Sequence, residues 1–179
     1  MPVAKLKLTA IKPGVLKMSL QLDHLFIPSK NKNASAQRLG ELLGVRWEPA
    51  GEGPAPDVNQ PPPAGLSATE LFRQYHAQRA SVYVNDSLTI DFVDAQGEVT
   101  SNHYCFSVSD SEFDAILARI KAAGLNFWSA PFGEPDFKVR TFMSGKGLYV
   151  MEPDGHSWEI LTVSYARPMS LAEFLSSLT

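Results

Sequence analysis

Two of the four histidines in this 179-residue chain recur in matching surroundings. His24 opens the stretch Asp23-His24-Leu25-Phe26-Ile27, and His103 opens Asn102-His103-Tyr104-Cys105-Phe106. Each stretch runs into a polar helix start and then an apolar helix that ends at a glycine, Gly44 or Gly124. Each half later closes on an apolar strand carrying one carboxylate, Asp91 in Thr89-Ile90-Asp91-Phe92-Val93 and Glu159 in Trp158-Glu159-Ile160-Leu161. Imidazole with carboxylate suits Zn, Fe, Mn, Ni or Co and leaves coordination positions open for water and substrate. A duplicated fold that gives one His and one acid from each half can gather His24, Asp91, His103 and Glu159 around a single divalent metal.

The elements that must position these groups are clearest in the second half. Tyr104, Phe106 and Val108 alternate with His103, Cys105 and Ser107, which predicts a strand with the histidine on the face away from its helix. Ser109-Asp110-Ser111-Glu112 is a capping box, Phe113, Ile116, Leu117 and Ile120 follow at helical spacing, and Gly124 supplies a left-handed stop. A strand near Asn126–Ala130, an irregular loop over Pro131–Ser144, and strands over Lys146–Met151 and Ser157–Val163 complete a βαβββ order. Glu152-Pro153-Asp154-Gly155 makes the last turn.

The first half repeats this order with an insertion. Leu22–Pro28 is the strand and Asn33–Leu43 the helix, followed by a proline-broken stretch within 46–80 that cannot be a central strand. Ser67–Glu70 caps a short helix holding Leu71, Phe72 and Tyr75, and Val82–Val84 with Leu88–Val93 form a hairpin. His24 lies 67 positions before Asp91 and His103 lies 56 before Glu159, an excess of 11 that accommodates the inserted loop and helix. The expected organisation is an N-terminal extension over 1–18, a first module over 19–98, a second over 99–166 and an amphipathic C-terminal helix over 167–179.

Composition bounds the partners. Hydrophobic content of 44% and charged content of 20% describe a globular chain, and a net charge of −3 gives no electrostatic footprint for nucleic acid or an anionic membrane. A single cysteine, Cys105, allows no internal disulfide and makes a reducing, cytoplasmic setting the expectation. No apolar run is long enough to span a bilayer.

The paired modules, the strand-opening histidines and the run Gly147-Leu148-Tyr149-Val150-Met151-Glu152-Pro153-Asp154-Gly155-His156-Ser157-Trp158-Glu159-Ile160 resemble the vicinal oxygen chelate superfamily. That group includes glyoxalase I, extradiol dioxygenases, fosfomycin-resistance enzymes and bleomycin-binding proteins. The resemblance covers about Leu20 to Thr162. It implies an α+β fold in which two βαβββ modules form a cupped, partly closed mixed sheet, and a divalent metal that chelates adjacent oxygens of a small substrate. The family's metal ligands fall on His24, His103 and Glu159, and the position of a further ligand falls on Asp91. A homodimer is implied, with modules meeting within one chain or across two.

Departures from the family's patterns separate its chemistries. Glyoxalase-type members use a fourth ligand that also shuttles a proton, most often Glu, and Asp91 is one methylene shorter. His24, His103 and Glu159 alone make the two-His-one-carboxylate set of non-haem iron oxygenases. Tyr149 sits where extradiol enzymes place a substrate-donating tyrosine, so Tyr149 and Asp91 are the candidate catalytic groups. His156 reads as exposed in its turn, His76 as a surface residue on an inserted lid, and Arg140, Lys138 and Lys146 as a solvated basic loop. The alternative is a metal-free binding protein of the bleomycin-resistance type. Phe127, Trp128, Phe132, Phe137 and Phe142 could line its groove, although they read first as core and loop anchors.

Overall fold

The computed structural model describes residues 20–51, 64–166 and 170–176. The expected extension over 1–18 and most of the proline-rich run lie outside these residues.

Two mixed sheets account for the strands among the described residues. In the first, β1 (His24–Ser29), β2 (Trp47–Glu48), β3 (Ala80–Asn85) and β4 (Leu88–Asp94) lie in the order β1-β4-β3-β2, with β1 parallel to β4 and the other pairs antiparallel. Helix α1 (Lys32–Leu43) connects β1 to β2, and α2 (Ala68–His76) stands in the insertion. In the second sheet, β5 (His103–Ser107), β6 (Phe127–Trp128), β7 (Arg140–Phe142), β8 (Gly145–Met151) and β9 (Ser157–Leu161) follow the order β5-β9-β8-β6, with β7 also on β8. Helix α3 (Asp110–Ala122) follows β5, and a short α4 (Leu171–Ser176) lies near the C-terminus. The fold is α+β and open, of the glyoxalase type.

The helices stop where backbone chemistry requires it. Asn31 accepts a hydrogen bond from the Ala34 amide at the start of α1, and complete capping boxes at Ser67 and Ser109 open α2 and α3. Gly44 ends α1 at φ 72°, and a Cβ there would come within 2.6 Å of the Arg119 guanidinium. That approach lets Arg119 donate to the carbonyls of Leu42 (2.9 Å) and Leu43 (2.8 Å), binding α3 to the end of α1.

Each sheet turns one face inward. On β1, Ile27 and Ser29 are buried while His24, Phe26 and Pro28 are exposed. Ile27, Ala36, Leu39, Val82 and Phe92 form one cluster, joined by Trp158 from the second sheet. Trp158 stacks on Tyr104 (4.8 Å) and Phe106 (5.8 Å) and meets the edge of Phe92 (6.4 Å). A second cluster holds Leu42 of α1 with Phe113, Ile116, Ile120, Leu148 and Ile160. The two halves therefore share apolar cores on their helix-bearing sides, and their other faces point outward.

Polar contacts reinforce the junction. Asp154 accepts from the Ser29 hydroxyl (2.7 Å) and the Lys30 amide (2.9 Å), and Ser35 donates to buried Glu152. His156, expected to be exposed, is fully buried. Its Nδ1 accepts from the Asn102 amide (3.2 Å) and its Nε2 donates to the Pro28 carbonyl (3.1 Å), which fixes the neutral Nε2–H tautomer. The turn at Gly155 (φ 90°) folds this ring back between the halves.

Two other expectations change. The segment Pro131–Ser144 is not wholly irregular, because β7 pairs with β8 through a two-residue turn in which Met143 (φ 52°) and Ser144 (φ 59°) are both left-handed. Phe127 is core, whereas Phe132, Phe137 and Phe142 are 88%, 58% and 47% exposed and lie outside it, Phe137 meeting Phe127 edge-on at 5.7 Å.

Candidate metal centre

The outward face of the second sheet is set by register. β5 runs parallel to β9 with Cys105 opposite Glu159 and His103 opposite Ser157, and Tyr149 on β8 lies opposite Glu159 from the other side. Side chains directly opposite share a face, so His103, Cys105, Glu159 and Tyr149 crowd together. Glu159 is completely buried, whereas the His103 side chain is 49% exposed.

Both oxygens of Glu159 are engaged. Oε1 accepts from Arg140 Nη2 at 2.7 Å, and Oε2 accepts from the Tyr165 hydroxyl at 2.7 Å and lies 3.2 Å from His103 Nε2. Arg140, expected to be solvated, is thus part of the site. It reaches Glu159 across Gly147, where a Cβ would sit 3.2 Å from both Nε and Nη2. Its guanidinium lies 5.6 Å from the Tyr149 ring, 5.4 Å from Tyr165 and 5.7 Å from Phe142, and its buried Nε has no hydrogen-bond partner. Lys146 behaves as a surface cation, pairing with Asp114 at 2.7 Å.

The phenols and the thiol here are held neutral. Burial, followed by hydrogen bonding to Glu159 and Tyr165, pushes the Tyr149 phenol well above its usual range. Its hydrogen bond to Glu159 raises Tyr165 too, with burial second. Partial burial and then the Glu159 charge push the Cys105 thiol up to about 12, so it is no thiolate at neutral pH. A cleft of about 470 Å³ opens beside His103, walled by Tyr149, Tyr165, Phe132 and Met151.

The first sheet carries the other two expected residues. His24 is 47% exposed and its Nδ1 lies 2.7 Å from the Asp23 carboxylate. Asp91 is buried on the same face, opposite Phe26. It accepts from Ser81 Oγ (2.5 Å) and from Arg79 Nη1 (3.1 Å), and the Arg79 guanidinium lies 5.1 Å over Phe26. Beside it is a cleft of about 710 Å³, lined by Glu48, Tyr83, Arg79, Phe72 and His76. His76 is half-buried, in tilted ring contact with Phe72 at 4.0 Å. Tyr83 donates to Glu48 at 2.7 Å, the main reason that carboxyl titrates below its usual range.

Of the four expected ligands, His103 and Glu159 meet, whereas His24 and Asp91 lie on the other sheet. Among the described residues no three His, Cys, Asp or Glu side chains gather as a metal-holding group within the chain. The pair that does meet, 3.2 Å apart, combines an imidazole nitrogen and a carboxylate oxygen, donor types that would suit a divalent ion.

No family model matches the chain. The solved structure of the oxidase ChaP-H2 is 30% identical with a TM-score of 0.64, covering 83% of this chain and 98% of its own. The oxidase ChaP-H1 is 31% identical with a TM-score of 0.61, covering 83% of this chain and 100% of its own. Glutathione transferase FosA of Serratia marcescens is 30% identical over 64 residues, 36% of this chain and 38% of that protein. The likeness to the two oxidases extends over nearly their whole lengths, and the chain belongs to the vicinal oxygen chelate superfamily.

Proposed function

We propose that this protein is a metal-dependent oxidase of the vicinal oxygen chelate type, acting on a small substrate that presents two adjacent oxygens. The observation that carries the proposal is the His103–Glu159 pair, two donors 3.2 Å apart, with His103 lining a cleft and Glu159 fully buried. Likeness to two oxidases across 83% of the chain supports the oxidative branch. We assign the third ligand to His24 of a second copy of the chain, because within one chain His24 and His103 lie on different sheets, both half exposed, and no three donors gather among the described residues. A divalent ion such as Fe, Mn, Zn or Ni would add Lewis acidity toward the substrate oxygens, and with Fe or Mn a route for dioxygen chemistry.

The remaining roles belong to the chain. Arg140 holds Glu159 Oε1 and so leaves Oε2 as the ligating atom. Tyr149, kept protonated, donates a hydrogen bond to the bound substrate oxygen. Asp91 is spoken for by Arg79 and Ser81 and orders the first half of the site rather than ligating. No helix among the described residues is long and apolar enough to cross a membrane. With Cys105 free, we place the homodimer in the cytoplasm.

The test is elemental analysis of protein purified without chelator or metal-affinity tag, on wild type and His103→Ala. The reading predicts about one ion per chain in wild type and none in the variant. Equal metal content in both would remove His103 from the site, and none in either after reconstitution would shift the assignment to a metal-free binding protein.

A further inference from the structure

Glu159 Oε2, the oxygen that faces His103, is covered by a residue outside the duplicated strands. Tyr165 follows β9, and its hydroxyl donates to Oε2 at 2.7 Å while its ring, 44% exposed, forms part of the wall of the cleft beside His103. Its ring also meets Phe142 edge-on at 6.2 Å and lies under Arg140, so the side chain is seated and its hydroxyl aimed. Arg140 occupies the other oxygen, so an ion bound between Oε2 and His103 Nε2 would have to share Oε2 with the phenol, which already takes one of its lone pairs.

We propose that the Tyr165 hydroxyl is a placeholder on Glu159: it caps Oε2 in the metal-free protein, leaves when an ion enters, and then presents its retained proton to a substrate oxygen in the cleft. This rests on the reading of His103 and Glu159 as metal ligands. Three features support it. A buried carboxylate without a partner on Oε2 would be costly, so some donor is needed before metal arrives. The donor is a neutral phenol rather than a second cation, and can be displaced without moving a charge. The released hydroxyl stays beside Tyr149 at the cleft wall, where an anionic substrate oxygen would meet two phenolic donors.

Titration of wild type and Tyr165→Phe with Co(II), in competition with a coloured chelator, tests this while the near-ultraviolet tyrosine spectrum is recorded. The variant should bind Co(II) about tenfold more tightly, since a hydrogen bond to a charged group no longer has to be broken. The tyrosine difference signal on metal addition should be present in wild type and lost in the variant, and the metal-free variant should melt earlier than metal-free wild type. Tighter binding is an effect that simple loss of packing does not produce. Unchanged or weaker affinity in the variant would overturn the placeholder role and leave the metal reading standing. Absence of Co(II) binding by wild type would overturn both.

Discussion

In both halves a strand-borne carboxylate stands two residues beyond the cross-strand partner of a histidine: Asp91 beyond Thr89, the partner of His24, and Glu159 beyond Ser157, the partner of His103. Both carboxylates are buried and both take an arginine, Arg79 at 3.1 Å and Arg140 at 2.7 Å. The neighbours differ. Beside Asp91 stand Phe26 and Ser81, and the serine holds one carboxylate oxygen down against the sheet. Beside Glu159 stand Cys105 and Tyr149, and the longer side chain reaches His103. One methylene and one neighbour thus separate a carboxylate held by Ser81 in its own sheet from one that reaches His103. Duplication supplies the positions, and local partners decide what each carboxylate contacts.

The sharpest way to break that contrast is to neutralise each acid in turn. Glu159→Gln should lower bound metal below detection and turnover by about three orders of magnitude or more. Asp91→Asn should keep its metal and most of its turnover. Loss of metal from Asp91→Asn, measured by elemental analysis, would make the first half a full ligand donor and erase the distinction.

The shared core sets the next scale. Trp158→Ala should cost about 3–5 kcal/mol, read as a lower denaturant midpoint, because the ring fills space against aromatic residues of both halves. A loss under about 1 kcal/mol would mean that the halves do not depend on this contact. Removing Arg79 (Arg79→Gln) should cost about 2–3 kcal/mol by leaving Asp91 buried with a single hydrogen bond, and metal content should not change. Arg140→Gln should show a similar stability loss but also alter metal affinity, which separates the two ion pairs by function.

The smallest effect concerns alkaline pH. The folded protein holds the Tyr149 proton above the usual phenol range, and the unfolded chain releases it near pH 10. The folded state then binds more protons, so this contribution is complete below about pH 10 and is lost as pH rises toward the folded value. Tyr149→Phe should flatten the fall of stability above about pH 10, and an unaltered slope would show the phenol to be freely titrating.

Much of this architecture was legible because its signals are local. Alternation on β1 and β5, the capping boxes at Ser67 and Ser109 and the stops at Gly44 and Gly124 each depend on a few neighbouring residues. The groups that tune the site are long-range and left weaker traces. Arg140 reaches Glu159 only because β7 pairs with β8 and residue 147 lacks a side chain, and a glycine inside a strand was the available hint. Tyr165 carries no periodic signal, since it lies beyond the last strand. His156 looked like a turn residue because nothing in sequence tells that the turn folds against Pro28, 128 positions earlier. The segregation of His24 from His103 was likewise invisible, being fixed by which sheet faces share the core.

The central claim is that His24 of one copy completes the site of another. The direct measurement is metal content of His24→Ala, of His103→Ala, and of the two co-expressed with different tags and purified through both. Each variant alone should lack stable metal. The mixed dimer carries one site with both histidines and one with neither, so it should recover about half of the wild-type metal per dimer. No recovery in the mixed dimer, or full occupancy in His24→Ala alone, would contradict a site shared between copies.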